Sequence, residues 1–394
     1  MGQKYSKTTW NELKPLILEH YSPEIITSVA EVLKDHRYER IATIPARKSM
    51  LSGLPREPFL LLNNLWGSKY RLFTMSAFPA LHRLILEKRD PELSYLFRVM
   101  FLNEWTTRPE LRQHFPDSLI ERLVETRALV QENECYQFTL SFVPFKQRIL
   151  ARDAFHVYQH DGLHSFKGRV WLGSDSILLA HFLHGFLSGR RFQRVLEIGV
   201  GTGIQILIAA QYADWAVGVD INERALAFAR INAEINRVGN VELCPSNLFE
   251  KVHGKFDLIL ANPWWCDLQS GGLEEIPGIL DGVDAHLPEN GMLLMLINSY
   301  VKAGQETVLE RFKEFLRERG NYDLDIEVVG YNIERERYQQ FKQYGITHCL
   351  GYFAILRKGG TGKIQRRDVS FLRRFRDFSY IQVAKTLEAV KSWS

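Results

Sequence analysis

No stretch of this 394-residue chain approaches the roughly 20 consecutive apolar residues that a membrane helix needs, and runs such as Met292 to Ile297 fall far short. Cysteine is scarce. The four, at positions 135, 244, 266 and 349, form no C-x-x-C pair and lack the dense spacing of a secreted scaffold, so they read as free thiols in a reducing cytoplasm. An excess of one charge is also missing: 50 Lys and Arg against 46 Asp and Glu leave a formal +4, too weak a bias to demand nucleic acid or an anionic membrane as partner. The opening Met-Gly-Gln-Lys-Tyr-Ser has no apolar signal region. Gly2 with Ser6 fits the myristoylation pattern, but a pattern this short arises easily by chance, and a plain polar start is expected. There is no H-E-x-x-H, no Cys and His at zinc spacing, no G-x-S-x-G and no P-loop lysine. His156, His160 and His164 would share a helix face, but Asp161-Gly162 breaks that helix, so no metal site is expected.

What is present is ordinary globular composition, 45% apolar, 12% aromatic and 24% charged, at a length that favours two domains. From Trp10 to about Asp90 the apolar spacing is helical, with Leu13, Leu16 and Ile17, then Ile25, Ile26, Val29, Val32 and Leu33, and with Pro55 and Pro58 marking a loop. A further helix is expected from Pro91 to about Trp105. Two more, Arg108 to Phe115 and Pro116 to Val130, precede an alternating hairpin from Tyr136 to Val143. Helix, turn, helix and wing is the outline of a winged helix. The second helix of such a motif either enters a DNA groove or builds a dimer or substrate-shaping surface. The segment Asp117 to Arg127 carries three acids against two bases, which phosphates disfavour, so the second role is expected.

From about Arg169 short apolar strands alternate with helical runs, the signature of a doubly wound α/β sheet. Seven strands are expected: Arg194 to Ile198, Ala216 to Asp220, Val241 to Pro245, Phe256 to Ala261, Gly291 to Ile297, Asp325 to Gly330 and Cys349 to Arg357. Helices between them include Ile204 to Tyr212, Glu223 to Arg237 and Gln305 to Arg319. The expected organisation is a helical and winged-helix-like domain over 1–150, a linker or lid over 151–168, an α/β domain over 169–357, and a basic helical extension over 358–394.

The strongest chemical signal is a strand carrying Glu197 followed by Gly199, Gly201 and Gly203, which open a helix at the carboxyl end of the strand, where open α/β sheets bind ligands. This is not the G-x-G-x-x-G of dinucleotide enzymes, and Glu197 would repel a phosphate while suiting an ammonium group. Seventeen residues after Gly203 the next strand ends in Asp220-Ile221, where a carboxylate can accept both hydroxyls of a ribose. After the third strand, Ser246, Asn247 and Leu248 are placed to meet an adenine ring. A nucleoside carrying an amino acid in place of phosphates is S-adenosylmethionine.

On these residues the chain resembles the class I S-adenosylmethionine-dependent methyltransferases over roughly 169–357. The resemblance implies that Glu197 to Gly203 packs on the methionine part, that Asp220 and Ile221 hold the ribose side, and that Asn247 and Leu248 border the adenine. Asn247 stands where Asp is usual. The fourth strand ends in Asn262-Pro263-Trp264-Trp265, which is similar to the Asn-Pro-Pro-Tyr signature of nitrogen methyltransferases, with Trp264 replacing the second proline. The Asn262 amide oxygen and the Pro263 carbonyl can accept both hydrogens of one planar nitrogen and so turn its lone pair toward a methyl group. The following tryptophans can stack on a flat acceptor or face a cation.

The nearest resemblance is to two-domain relatives of the release-factor glutamine methyltransferases. The segment from Trp171 to Ala180 resembles the family segment that passes over the cofactor. Asp267, Glu274 and Glu275, on a loop with Gly271 and Gly272, would suit a cationic acceptor, although a solvated acidic loop explains them as well. The resulting expectation is a cytoplasmic enzyme that transfers methyl from S-adenosylmethionine to an amide, amine or guanidine nitrogen of a protein or small molecule. No membrane partner is expected, and a homodimer through the N-terminal domain is one role for that domain. Alternatives are methylation of an exocyclic base nitrogen in RNA or DNA, or a winged-helix regulator that binds the cofactor without catalysis. Eight basic residues between Arg357 and Arg376, interleaved with Phe371 and Phe375, read either as a nucleic-acid handle or, by preference, as an amphipathic helix with a solvated charged face.

Overall fold

The structure, a computed structural model, describes residues 22–43, 90–154, 170, 172–263, 273, 275–332, 341 and 343–368. Leu13, Leu16, Ile17, Pro55, Pro58, the three histidines from His156 to His164, and Phe371 and Phe375 lie outside them. Among the described residues no helix is long and apolar enough to cross a membrane.

The larger layer is a mixed sheet. Its strands are β6 (Phe192–Ile198), β7 (Ala213–Asp220), β8 (Val241–Pro245), β9 (Leu258–Ala261), β10 (Met292–Lys302), β11 (Gln305–Glu306), β12 (Tyr322–Asn332), β13 (Ile346–Lys358) and β14 (Ile364–Asp368), in the spatial order β14-β12-β13-β10-β9-β6-β7-β8, with β11 paired to β10. Pairs from β10 through β9, β6 and β7 to β8 are parallel, whereas β13 runs antiparallel to both β10 and β12. Among the described residues the sheet has nine strands, not the seven expected. Seven match the expected segments. The additions are the two-residue β11, too short to register as a period, and β14, which pairs parallel to β12.

Over 364–368 the expected helical extension is the strand β14, and 369–394 lie outside the described residues. The arginines of β14 are exposed yet ion-paired, Arg366 with Glu306 and Arg367 with Glu327, while Arg357 meets Asp325 and Lys358 meets Asp284. Alternate acids on neighbouring strands neutralise a run that looks like a charged helix face in one dimension.

β6 starts the doubly wound topology. The chain moves outward through β7 and β8, then returns to the other side of β6 as β9. That reversal opens a crevice beyond the carboxyl ends of β6 and β9. Helices α5 (Ser174–Leu187), α6 (Ile204–Ala209), α7 (Glu223–Ile235), α8 (Ile276–His286) and α9 (Thr307–Arg319) cover the sheet. The near-continuous burial of β6, β9 and β10 follows from helices on both faces.

The N-terminal part holds α1 (Pro23–Asp35), α2 (Pro91–Met100), β1 (Thr106–Thr107), α3 (Arg108–Leu111), α4 (Asp117–Glu125), and two hairpins, β2 (Leu129–Glu132) with β3 (Cys135–Phe138) and β4 (Leu140–Phe145) with β5 (Arg148–Asp153). In α1 the expected stripe of Ile25, Ile26, Val29 and Leu33 is buried. Asp90 caps α2 by accepting from the Leu93 N–H at 3.0 Å, and Glu110 accepts from Thr107 N–H and hydroxyl, both at 2.8 Å, to start α3. The expected single hairpin over Tyr136 to Val143 is instead the junction of two. Thr139 interrupts pairing by binding back to Ala128 and Arg127, and Lys146 and Gln147 both take positive φ in the second turn. Helix α4 stops at Glu125 because the chain reverses at Arg127, φ 60°.

β5 continues through residue 151, where a linker was expected, and docks on α7 through side-chain amides. Asn232, fully buried, accepts from Ala151 N–H at 2.7 Å and donates to the carbonyls of Ala151 and Thr202, each at 2.9 Å. One turn on, Asn236 accepts from Ile149 N–H at 3.1 Å and donates to its carbonyl at 2.8 Å. An i, i+4 pair on one helix face thus takes the place of a neighbouring strand. The buried Asp153 pairs with Arg224, at the start of the same helix.

Candidate active site

Strand register brings the expected residues together. Ile198 is paired with Val219 on one side and with Ala261 on the other, and Asp220 with Pro245. Gly199, Asp220, Ser246 and Asn262 therefore lie at or one residue past neighbouring strand ends, along a single edge of the sheet.

The N–H groups of Gly199 and Val200 both donate to the Val219 carbonyl, at 2.8 and 3.0 Å, and tie the loop to β7. Gly199, Gly201 and Gly203 have φ of +73°, +52° and +84°, a region that side chains with a Cβ rarely adopt. Their surroundings differ. A Cβ at Gly199 or Gly201 would meet nothing within 4 Å, whereas at Gly203 it would meet the Ala229 Cβ at 3.1 Å. The first two border open space at the crevice, and the third lets α6 approach α7.

Two carboxyls flank this loop. Glu197 is 1% exposed; it accepts from the Ile206 N–H, and its Oε2 is buried without a hydrogen-bond partner among the described residues. Burial pushes its pKa well above the ordinary value, and the nearby Asp220 charge adds to the rise. Asp220 accepts from Gly201 N–H through Oδ2 and from Asn222 N–H through Oδ1, both at 2.9 Å, yet burial still raises its pKa. Beside it Ile221 is 75% exposed, an apolar surface at the crevice rim. An orphaned carboxylate oxygen, a second carboxyl short of solvent and an open glycine cradle fit a cationic ligand with hydroxyl groups; they do not fit a polyphosphate. These residues fit S-adenosylmethionine.

Ser246 acts within its own loop, accepting from Lys251 N–H and donating to the Leu248 carbonyl, both at 3.0 Å. Leu248 packs on α8, where a Cβ at Gly278 would come within 2.5 Å of its Cδ1. Asn247 is exposed, with its amide donating to Glu250 at 2.8 Å.

At the end of β9, the Asn262 amide donates to Asp175 Oδ2 at 3.0 Å and to Ser176 Oγ at 3.3 Å. Its Oδ1 is buried, with no hydrogen-bond partner among the described residues. Because a carboxylate can only accept, Asp175 settles which end of the amide carries the hydrogens, leaving the oxygen as an uncommitted acceptor. Asp175 and Ser176 lie in the first turn of α5, and Gln205 of α6 donates to the Ser176 carbonyl at 3.1 Å. Both fall within the Trp171 to Ala180 segment that resembles the family's cofactor-covering stretch, and an Asp-Ser pair opening an otherwise apolar helix is the local signal that marks them. Pro263 is buried. Trp264, Trp265, Asp267 and Glu274 lie outside the described residues, and Glu275 immediately precedes α8.

Residues 155–322 match the family model of the methyltransferase small domain. A provisionally named protein N5-glutamine methyltransferase of Methanocaldococcus jannaschii is 56% identical over 70 residues, 18% of this chain and 35% of that protein. The ribosomal protein L11 methyltransferase of Caldanaerobacter subterraneus subsp. tengcongensis is 34% identical over 122 residues, 31% of this chain and 36% of its own. The release factor glutamine methyltransferase of Lactococcus lactis subsp. lactis is 26% identical over 188 residues, 47% of this chain and 64% of its own. The chain thus spans between about a third and just under two thirds of these relatives. The crevice geometry and these matches converge on residues 155–322, which match the methyltransferase small domain and resemble the nitrogen-directed class I S-adenosylmethionine-dependent methyltransferases.

Proposed function

We propose that this protein methylates a side-chain amide nitrogen of a protein, with glutamine as the acceptor class. The observation that carries this reading is the oriented Asn262 amide, whose donor end is held by Asp175 and whose oxygen has no partner among the described residues. When bound, S-adenosylmethionine would supply a methyl group on a sulfonium, the new N–C bond replacing the S–C bond to leave a neutral thioether while the amide nitrogen gives up one proton to solvent. Glu197 and Asp220 hold the cation and the ribose hydroxyls, and the glycines at 199 and 201 admit the ligand to the backbone. Asn262 Oδ1 and the Pro263 carbonyl accept the two hydrogens of the amide nitrogen, which weakens its conjugation and turns its lone pair into the crevice. Asp175 keeps Asn262 in that orientation throughout. The names of the relatives, which act on glutamine or on ribosomal protein L11, favour a protein acceptor over a small molecule.

The catalytic core comprises β6 to β10 with β12 and β13, and β11 and β14 are additions to it. The order α2, β1, α3, α4 and the β2/β3 hairpin supports a winged-helix-like unit. Arg108 pairs with Asp117 and Glu121, and Arg112 with Asp117, so the basic groups beside α4 are already neutralised. That pairing, like the pairing along β14, favours a substrate-shaping surface over a nucleic-acid one.

The test is incubation of the full chain with methyl-labelled S-adenosylmethionine and separate protein, nucleic-acid and small-metabolite fractions. Label in protein, recovered as N5-methylglutamine after enzymatic digestion, supports the reading. Label confined to another fraction, or to another residue type, overturns it.

A further inference from the structure

Away from the crevice, three side chains of the N-terminal part converge from three elements. His36 follows the C-terminus of α1, Glu92 lies in the first turn of α2, and His114 lies between α3 and α4. Their nearest ligating atoms all fall within 4.8 Å of one another. Glu92 Oε1 is 2.8 Å from His36 Nε2 and 3.5 Å from His114 Nδ1.

The hydrogen-bond chemistry of this cluster is incomplete. His36 Nδ1 lies 2.8 Å from the Val32 carbonyl, which only accepts, so Nδ1 carries the proton. Neutral His36 then turns its Nε2 lone pair toward a carboxylate oxygen, and two lone pairs at that distance repel. A proton on Nε2 would resolve that contact alone. It would leave the buried His114 Nδ1 with, among the described residues, only a long 3.5 Å approach to the same Glu92 oxygen. The His114 side chain is 7% exposed, and its ring stacks on Tyr95 at 4.7 Å between centroids, which fixes its direction. One cation bound by all three atoms satisfies every group at once.

We propose that His36, Glu92 and His114 form a binding site for a divalent transition-metal ion of the zinc class. Two imidazoles and a carboxylate are the donor set of that class, and bonds of about 2.0–2.1 Å place tetrahedral ligand atoms roughly 3.3 Å apart, a value bracketed by the 2.8 and 3.5 Å between Glu92 and the two histidines. The Val32 carbonyl holds His36 in the tautomer that offers Nε2. Bound there, the ion ties the end of α1 to α2 and to the turn before α4, bracing the unit that carries the β2/β3 hairpin. The ligands are far apart in the chain, at 36, 92 and 114, so no local spacing announces them, which is why the sequence reading expected no metal.

The experiment uses the full chain, stripped with a chelator and titrated with zinc sulfate against a chromophoric competitor, with bound metal counted after gel filtration and the melting temperature followed in parallel. Wild type is expected to retain about one zinc per chain and to melt at a higher temperature with it. Glu92→Gln and His36→Gln keep the size of partly exposed side chains, and each is expected to weaken zinc binding at least about tenfold while the metal-free melting temperature holds. His114→Ala should abolish binding, but loss of the stacked ring could unfold the unit, so the first two variants decide. A wild-type Kd weaker than about 1 mM overturns the proposal. So does zinc binding unchanged in Glu92→Gln and His36→Gln, which would place the ion elsewhere, such as on the free thiols of Cys135 or Cys244.

Discussion

Replacing Asp175 tests whether an oriented amide, rather than an asparagine as such, drives the chemistry. Asp175 accepts from the Asn262 amide at 3.0 Å, and the second partner, Ser176 Oγ, is more distant at 3.3 Å. A hydrogen bond to a charged group contributes about 1.5–3 kcal/mol and a neutral one about 0.5–1.5. Asp175→Asn exchanges the first for the second, a loss of about 1–1.5 kcal/mol, or roughly tenfold in kcat. Asp175→Ala removes the bond altogether, so kcat falls roughly 10- to 150-fold as the freed amide turns its donors toward the acceptor. Asn262→Ala deletes the acceptor oxygen itself and costs about a hundredfold or more. The assay is the initial rate of label transfer at saturating cofactor, with cofactor affinity measured separately by calorimetry. The order Asn262→Ala below Asp175→Ala below Asp175→Asn, at nearly constant cofactor Kd, is the expected result. A wild-type rate for Asn262→Ala would reduce the Asn262-Pro263 segment to a structural turn. A parallel loss of cofactor affinity in the Asp175 variants would make Asp175 a cofactor ligand instead of a positioning residue.

Glu197, with its raised pKa, favours folding when protonated, so the stability of the cofactor-free protein should fall as pH rises from the ordinary carboxylate range toward that higher value, while affinity for the cationic cofactor rises over the same window. Glu197→Gln should flatten both slopes, leaving the smaller share due to Asp220, and should weaken cofactor binding; calorimetry and melting curves across pH check this, and unchanged affinity at high pH would contradict it. Gly201→Val should abolish cofactor binding by filling open space, whereas Gly203→Val should mainly lower stability through its clash with Ala229; denaturant midpoints and calorimetry on both variants separate the two effects, and identical behaviour would refute the distinction. Asn232→Ala strips partners from the Ala151 N–H and carbonyl and from the Thr202 carbonyl, about 3 kcal/mol in total at roughly 1 kcal/mol each. A shift below about 1 kcal/mol in urea unfolding would mean that water takes over these groups.

The strand ends were legible because their signals are local. In β6, β7 and β9 a short apolar run stops at Glu197-Ile198, at Asp220 or at Ala261, and a glycine, a carboxylate or an asparagine follows at once. Chain periodicity and the backbone demands of glycine are properties of adjacent residues, so the cofactor side of the crevice could be read without coordinates. Local signals misled where pairing is decided at a distance. The alternation from Tyr136 to Val143 runs unbroken through Thr139, although that residue separates two hairpins by bonding to Ala128. Arg366 and Arg367 resemble a helix face in one dimension and form a strand because β12 offers them a partner and an acid.

The sequence by itself determined the α/β class of the larger layer, the carboxyl edge of its sheet as the candidate site, and the donor and acceptor types placed along it, since each follows from spacings of a few residues. Only the tertiary structure decided how those groups are set. Asp175 reaches Asn262 from 87 positions away and settles which end of the amide carries the hydrogens. Glu197 and Asp220 acquire raised pKa values because packing removes their water, and Asn232 pins a hairpin to the glycine loop across 81 residues. Orientation, desolvation and the meeting of His36 with Glu92 and His114 depend on which atoms become neighbours once the chain has closed on itself, and that is a property of the fold rather than of any local window.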